Sequence, residues 1–135
     1  MRRVTKLFAR LGYSIPEAEK MSDAALTYLN IGDGVEDITQ SSESIISTMQ
    51  GFQLGADQAM DIVDKFNEVG NNFATSSGDI GEGLKRSSAA LAAAGNDLDQ
   101  SIALFTGAQE ITQDADVVGT ALKTKFYCFN VQKCA

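Results

Sequence analysis

The feature that most constrains this chain is the regular series of helix start and stop signals between about residues 42 and 123, which divides this part of the chain into short helical segments. Each segment is rich in alanine and serine, ends at a glycine, and is followed by a Ser, Asn or Asp just before an acidic residue. Glycine supplies the left-handed residue that commonly closes a helix, and Ser, Asn and Asp side chains accept hydrogen bonds from the free amides of a first turn. The pattern therefore predicts a row of brief α-helices.

Local signals place the individual helices. Ser14 and Glu17 form a capping box with Pro16 in the first turn, which predicts a helix that ends at Gly32. The next helix is predicted to end at Gly51. Further helices are predicted to start near residues 55, 76, 96 and 114, about twenty residues apart, without the fixed motif of a named repeat family.

The predicted fold class is all-α, an array of about six or seven short amphipathic helices joined by glycine-containing turns. Residues 125–131 have strand-like composition, but the segment is short and has no convincing partner. Much of the apolar fraction is alanine, which buries little surface per residue, so a loosely packed or partner-dependent core is expected. The predicted core consists of Ile45, Ile46, Met49, Phe52, Met60, Val63, Phe66, Ile80, Leu84, Leu91, Leu98, Ile102 and Phe105.

Charge is unevenly distributed along the chain. Residues 1–20 carry a net charge of +3, residues 21–122 carry −13, and the last thirteen residues carry +3. An acidic middle repels phosphates, so direct nucleic-acid binding is not expected there. The basic amphipathic start, with Val4, Leu7, Phe8 and Leu11 on one face, could contact an acidic partner or a membrane surface. The favoured interpretation is a helix packed on its neighbours with a solvated basic face.

One helix carries small residues along one side. Gly83, Ser87, Ala90 and Ala94 are spaced by four, three and four residues. Such spacing lets a second helix backbone approach closely, in membranes and between soluble helices alike. Charged residues on the same helix favour the soluble interpretation, and self-association through helix faces remains open.

Reactive side chains are scarce. The chain has no histidine, which excludes triads that use an imidazole base. Cys128 and Cys134 have no histidine or further cysteine nearby, so a disulfide or two free thiols is favoured over a zinc site. Neither cysteine is a predicted ligand.

Acidic pairs and a glycine-rich phrase are the other chemical candidates. Asp97/Asp99 and Asp114/Asp116 could hold a cation or act as acid and base, but helix starts favour negative charge, so capping is predicted. Residues 78–83 superficially suggest a phosphate loop, yet they follow no strand and lack the Lys-Ser/Thr of that motif. Their glycines are interpreted as a frayed first turn or a close helix crossing. No catalytic, cofactor-binding or metal-binding residue and no cofactor is predicted, and no enzymatic activity is expected.

An ordered series of short sequence phrases runs along most of residues 11–124. The phrases are LGYS (11–14), DAAL (23–26), GDG (32–34), ESIISTMQGF (43–52), FNEVGNNF (66–73) and QDADVVGTALK (113–123). Together they resemble the core region of phage tail tape measure proteins, and no single phrase carries a catalytic or ligand-binding meaning.

The resemblance implies a structural role in tail assembly. Tape measure proteins resemble long helical rods around which tail tube subunits polymerise, so that rod length limits tail length; they are also thought to help DNA cross the cell envelope. The implied partners are tail tube subunits and tail assembly chaperones, and the implied location is the virion tail, or the host cytoplasm during assembly. In a rod each helical residue adds about 1.5 Å, so a wholly helical chain of this size would reach roughly 200 Å. The repeated breaks fold this chain back, which makes it a poor ruler alone.

The family pattern stops at about residue 124. Residues 1–124 are predicted to form a helical tape-measure-like block, and residues 125–135 a divergent tail that is non-native or disordered. Family members are usually several times longer, so a truncated or frameshifted gene from a decaying prophage is the working hypothesis. No signal peptide and no membrane-spanning run is predicted. The alternative functions are an acidic helical interaction module or a secreted helical effector fragment.

Overall fold

The structure is a computed structural model that describes residues 2–131, with side chains from residue 3 to residue 126. Within that range the chain forms seven α-helices and one short 3₁₀ turn and contains no strand, which confirms the predicted all-α class. The segment of strand-like composition is the end of the last helix, and the domain boundary near residue 125 stays a prediction. The elements are α1 (Arg2–Arg10), α2 (Ile15–Ile31), α3 (Ile38–Phe52), the 3₁₀ turn (Ala56–Gln58), α4 (Ala59–Asn72), α5 (Ser77–Ala93), α6 (Leu98–Thr112) and α7 (Ala115–Val131).

Helix starts follow the predicted capping residues. The hydroxyl of Ser76 accepts a hydrogen bond from the amide of Asp79 at 3.0 Å, at the start of α5. The carboxylate of Asp97 accepts from the amide of Gln100 at 2.8 Å, at the start of α6. Each side chain pairs an amide that the helix itself leaves without a partner, as the punctuation predicts.

The predicted capping box at the start of α2 forms in part. The carboxylate of Glu17 accepts from the amide of Ser14 at 2.8 Å and from its hydroxyl at 2.7 Å. The hydroxyl therefore donates to the carboxylate, whereas the predicted arrangement has it accept from a helix amide. These hydrogen bonds stabilise the charged carboxylate and lower the pKa of Glu17 below its ordinary value.

The helix ends follow glycine in two cases and depart from it in a third. Helix α2 ends at Ile31 and is closed by Gly32, as predicted. Gly95, with a φ of +91°, lies just after α5, as predicted. The prediction that α3 ends at Gly51 is wrong, because α3 continues to Phe52 and is closed by Gln53, whose φ is 55°. A Cβ atom on Gly51 would lie 2.5 Å from Oγ of Ser88. Gly51 therefore serves the close approach of α3 to α5.

The core is centred on α5, which contacts α3, α4, α6 and α7. Most of the predicted core is buried, but Ile46 and Phe52 are only partly buried. Met60 is a wrong prediction, since its side chain is 38% exposed. The buried stripe of α4 runs through Ala59, Ile62, Val63 and Phe66 at helical spacing, and Met60 lies off that stripe.

Small hydroxyl side chains fill the interfaces where helices cross. Ser41 of α3 donates to the carbonyl oxygen of Ala25 in α2 at 2.5 Å. Ser88 of α5 donates to the carbonyl oxygen of Ser47 in α3 at 2.9 Å. These buried hydroxyls are paired, so they permit close packing without leaving an unsatisfied polar group.

Tyr28 of α2 connects α2 to α4 and to the start of α5. Its ring is buried and lies 5.8 Å from the ring of Phe66, centroid to centroid. Its hydroxyl donates to the carbonyl oxygen of Ser77 at 2.5 Å, which joins α2 to the start of α5. Burial disfavours the phenolate and raises the pKa of Tyr28 far above its ordinary value of about 10.

We expect Tyr28→Phe to lower the free energy of unfolding by about 1–2 kcal/mol at neutral pH, because the buried hydrogen bond is lost. Above about pH 10 the unfolded wild-type chain releases the Tyr28 proton while the folded chain keeps it, so wild-type stability falls as the pH rises. Urea unfolding followed by circular dichroism between neutral and alkaline pH measures both effects. The variant should show a shallower alkaline loss, and parallel pH profiles would contradict the prediction.

Candidate functional site

The small residues of α5 are mostly buried. Gly83, Ser87 and Ala90 are buried, and Ala94 is half-buried. A Cβ atom on Gly119 of α7 would lie 2.8 Å from the carbonyl oxygen of Gly83. The predicted close approach of a second backbone is therefore confirmed at Gly83, where α7 crosses α5.

The four paired carboxylates are divided between capping and ion pairing. Asp97 caps α6, and the carboxylate of Asp114 accepts from a backbone amide in the first turn of α7 at 3.1 Å. Asp99 instead pairs with Lys65 of α4 at 2.8 Å. Asp116 pairs with the guanidinium of Arg86 in α5 at 3.0 Å. Capping is thus confirmed for the first member of each pair, while the second member joins neighbouring helices.

Residues 78–83 lie in the first turns of α5, which confirms the helix-crossing interpretation. The amide of Gly78 donates to the carbonyl oxygen of Asp33 at 2.8 Å, and the amide of Asp79 is taken by Ser76. A Cβ atom on Gly78 would overlap the backbone of Gly34. The amides that a phosphate loop would present to a ligand are therefore engaged within the protein.

The remaining candidates from the sequence are a metal site and a membrane-spanning helix. Among the side chains that the structure describes, no group of three or more His, Cys, Asp or Glu is arranged to hold a metal ion. Cys128 and Cys134 lie outside those side chains, so the prediction for them is untested. None of the described helices is both long and apolar enough to cross a bilayer.

An open groove of about 490 Å³ separates α4 from α6, and we call it the α4/α6 groove. Its apolar lining comes from Val69 and Phe73 on one side and from Ile102 and Gly107 on the other. Phe73, the residue after α4, is 53% exposed, and a Cβ atom on Gly107 would meet no atom within 4 Å. Thr106 also lines the groove; it is only 6% exposed, and its hydroxyl has no hydrogen-bond partner among the described residues.

The rim of the α4/α6 groove is acidic. Lys65 is held between Asp61, at 3.5 Å, and Asp99, at 2.8 Å, and these carboxylates raise its pKa. Glu68 and Glu110 are exposed along the same groove. The positive charge of Lys65 is thus already shared by two carboxylates, and the rim as a whole is negative.

Hydrogen bonds close one end of the groove. The side-chain amide of Gln113, just after α6, donates to the carbonyl oxygen of Ala74 at 3.0 Å. The amide of Ala74 donates to the carboxylate of Glu110 at 3.4 Å. With the ion pair between Lys65 and Asp99 near the other end, these bonds brace α4 and α6 at a fixed separation.

The first helix departs in part from its predicted packing. Val4 and Phe8 are buried, and α1 packs against α2. The prediction that Leu7 and Leu11 share that buried face is wrong, because their side chains are 36% and 45% exposed. The exposed residues Arg3, Lys6, Leu7, Arg10 and Leu11 are called the basic α1 surface. Its three cations form no ion pair with any described side chain.

Sequence reasoning did not find the α4/α6 groove. The helices that form it are separated along the chain by α5, so its width depends on how both pack on α5. The available signals were Phe73 at the end of a predicted helix and Gly107 within another. Neither residue alone indicates a groove.

Comparisons with known proteins relate the chain to phage tails. Residues 3–126 match the family of phage-related minor tail proteins. Over 83 residues, 62% of this chain, the sequence is 31% identical to a probable tape measure protein of Halomonas phage phiHAP-1. The matched stretch is 10% of that protein's length. No solved structure matches the chain.

Proposed function

The chain belongs to the family of phage-related minor tail proteins, and we propose that it acts as a compact helical module of a tape measure protein. The family assignment confirms the resemblance seen in the sequence and makes the role of the chain a structural one in the phage tail. The likeness to a probable tape measure protein supports the finer assignment. That relative is about ten times as long as the matched stretch, so the activity of the whole protein remains part of the proposal.

The packing of this block limits how much it can add to the length of a tape measure protein. A fully helical rod of 135 residues would span roughly 200 Å. A folded domain of this size has a radius of gyration of about 14 Å. The seven helices pack on one another, with α5 in contact with α3, α4, α6 and α7, so this chain follows the second arrangement. We infer that the block is a folded node in the tape measure protein, while extended helix elsewhere supplies most of the length.

We also propose where the block lies and which proteins it contacts. The block would lie in the virion tail, where tail tube subunits and, during assembly, tail chaperones are its partners, and the tape measure protein would set tail length and assist genome delivery. Exposed apolar residues at the α4/α6 groove and on α1 provide surfaces for such contacts. We propose that the chain acts through non-covalent contacts with these partners and catalyses no reaction.

Tail length in virions tests this proposal. In the phage or prophage that encodes the chain, in-frame deletion of residues 11–124 should shorten the tail by about 30–40 Å, the width of a folded domain. Threading of the block as a straight helix would instead shorten it by roughly 170 Å. Negative-stain electron microscopy measures the difference, and restoration of the deleted segment is the control.

Mass spectrometry of purified virions gives an independent readout. Peptides from residues 11–124 should be present in wild-type tails and absent from those of the deletion strain. Virions without these peptides, or a deletion strain with tails of unchanged length and number, would contradict the proposed role.

A further inference from the structure

We propose that the basic α1 surface of one copy docks in the α4/α6 groove of a second copy. The inference goes beyond the proposed function, since it concerns the isolated chain and holds whether or not the block measures tail length. It rests on three properties of the two surfaces: apolar matching, charge and length.

The groove has room for apolar side chains from outside. Phe73 leaves half of its ring exposed, and no atom lies within 4 Å of the position where Gly107 would carry a Cβ. A docked helix can bury its apolar side chains against Phe73 and in the open space beside Gly107.

The charges of the two surfaces are opposite. Glu68 and Glu110 lie along the groove with no cation paired to either among the described side chains. Arg3, Lys6 and Arg10 lie three and four residues apart, which places them in one row on α1. A basic row of this kind complements the acidic rim and gives the contact its orientation.

The exposed leucines and the lengths also match. Leu7 lies on α1 and Leu11 lies in the turn directly after it, and both are exposed beside the basic row. The nine residues of α1 extend about 14 Å, and the nine residues from Lys65 to Phe73 along the groove span a similar length. A short helix in a groove of this size gives a weak interface, below the area of stable complexes.

The two surfaces lie on different elements, so the contact is heterologous. Each copy keeps one free groove and one free α1 surface after it binds a neighbour. Heterologous contacts of this kind form rings or open chains, whereas a symmetric contact stops at a dimer. The proposal therefore predicts head-to-tail association of the purified chain.

Sedimentation equilibrium of the full chain at low ionic strength tests the proposal. The average mass should rise with concentration beyond that of a dimer, and about 0.5 M salt should weaken association at least tenfold, because screening reduces attraction between exposed charges. Gly107→Leu fills the groove and should abolish association, and Lys6→Glu with Arg10→Glu should do the same from the α1 side. Ala121→Leu, an exposed change on α7 outside both surfaces, is the matched control and should associate like the wild type. Circular dichroism verifies that each variant is folded.

A mixture of the two defective variants is the decisive sample. The Gly107→Leu protein keeps its α1 surface and the doubly charge-reversed protein keeps its groove, so the mixture should form a one-to-one dimer and nothing larger. A mixture that stays monomeric, or a wild-type chain that is monomeric up to about 1 mM, would overturn the proposal. Binding of a monomeric wild-type chain to phosphatidylcholine vesicles that contain phosphatidylglycerol, lost on reversal of the α1 charges, would also overturn it and assign α1 to a lipid surface.

Discussion

Replacement of Phe66 by alanine is expected to lower the free energy of unfolding by about 3–5 kcal/mol. Phe66 is fully buried in α4, and its ring packs against that of Tyr28 at 5.8 Å. Removal of the ring forfeits its transfer free energy and leaves a cavity that rigid helices only partly close. Urea unfolding followed by circular dichroism measures the loss, and a domain of this size should also melt many degrees lower.

Phe73→Ala is the matched control for that measurement. It removes the same ring from the residue that follows the same helix, but Phe73 is about half exposed. We expect this control to cost well under half as much as Phe66→Ala, because less apolar surface leaves water in the wild-type fold. Equal costs for the two variants would show that α4 presents a different face to the core.

The helix count and most helix starts could be predicted from the sequence because those signals are local. Ser76, Asp97 and Asp114 each accept a hydrogen bond from the amide three residues later, so the information lies within one turn. Burial of Ile45, Phe66 and Phe105 likewise follows from helical periodicity. Helix caps and helical periodicity can both be identified without knowing which helices touch.

The sequence predictions are wrong where tertiary contacts determine a helix end or the burial of a side chain. Gly51 has the sequence of a helix terminator, but its missing side chain accommodates Ser88 of α5 instead. Gln53 and Gln113 close α3 and α6 with a φ of 55°, a left-handed conformation that glutamine seldom adopts. Met60 is apolar but falls one position away from the buried stripe of α4. None of these outcomes can be read from the local pattern.

The candidate surfaces show the same difference between features set by local sequence and features set by tertiary contacts. The small residues of α5 correctly predicted close backbone contact, because small size is required wherever two helices touch. Which helix makes that contact is a tertiary property, and it is α7, through Gly119. The α4/α6 groove lies between two helices that are distant in the sequence and are joined by the ion pair between Lys65 and Asp99, so no local pattern predicts it.

Gly83→Ala is expected to lower the free energy of unfolding by about 3 kcal/mol, although alanine in a helix interior is ordinarily better than glycine by about 1 kcal/mol. A Cβ atom at position 83 would overlap Cε2 of Phe105 and lie 2.5 Å from its Cδ2. The ring of Phe105 is fully buried, and Gly119 of α7 approaches the backbone of Gly83 from nearby, so relief of the overlap requires neighbouring helices to move. Thermal and urea unfolding of the purified variant measure the loss.

Gly107→Ala separates this crowding from the intrinsic effect of alanine. Gly107 lies inside α6 with no neighbour within 4 Å of its Cβ position, so the change should stabilise the protein by about 0.5–1 kcal/mol. Phe105→Leu, added to Gly83→Ala, should cost less than the sum of the two single changes, because a smaller side chain makes room for the new methyl group. If Gly83→Ala instead stabilised the protein as Gly107→Ala does, α5 and α6 could not be as close as the structure places them.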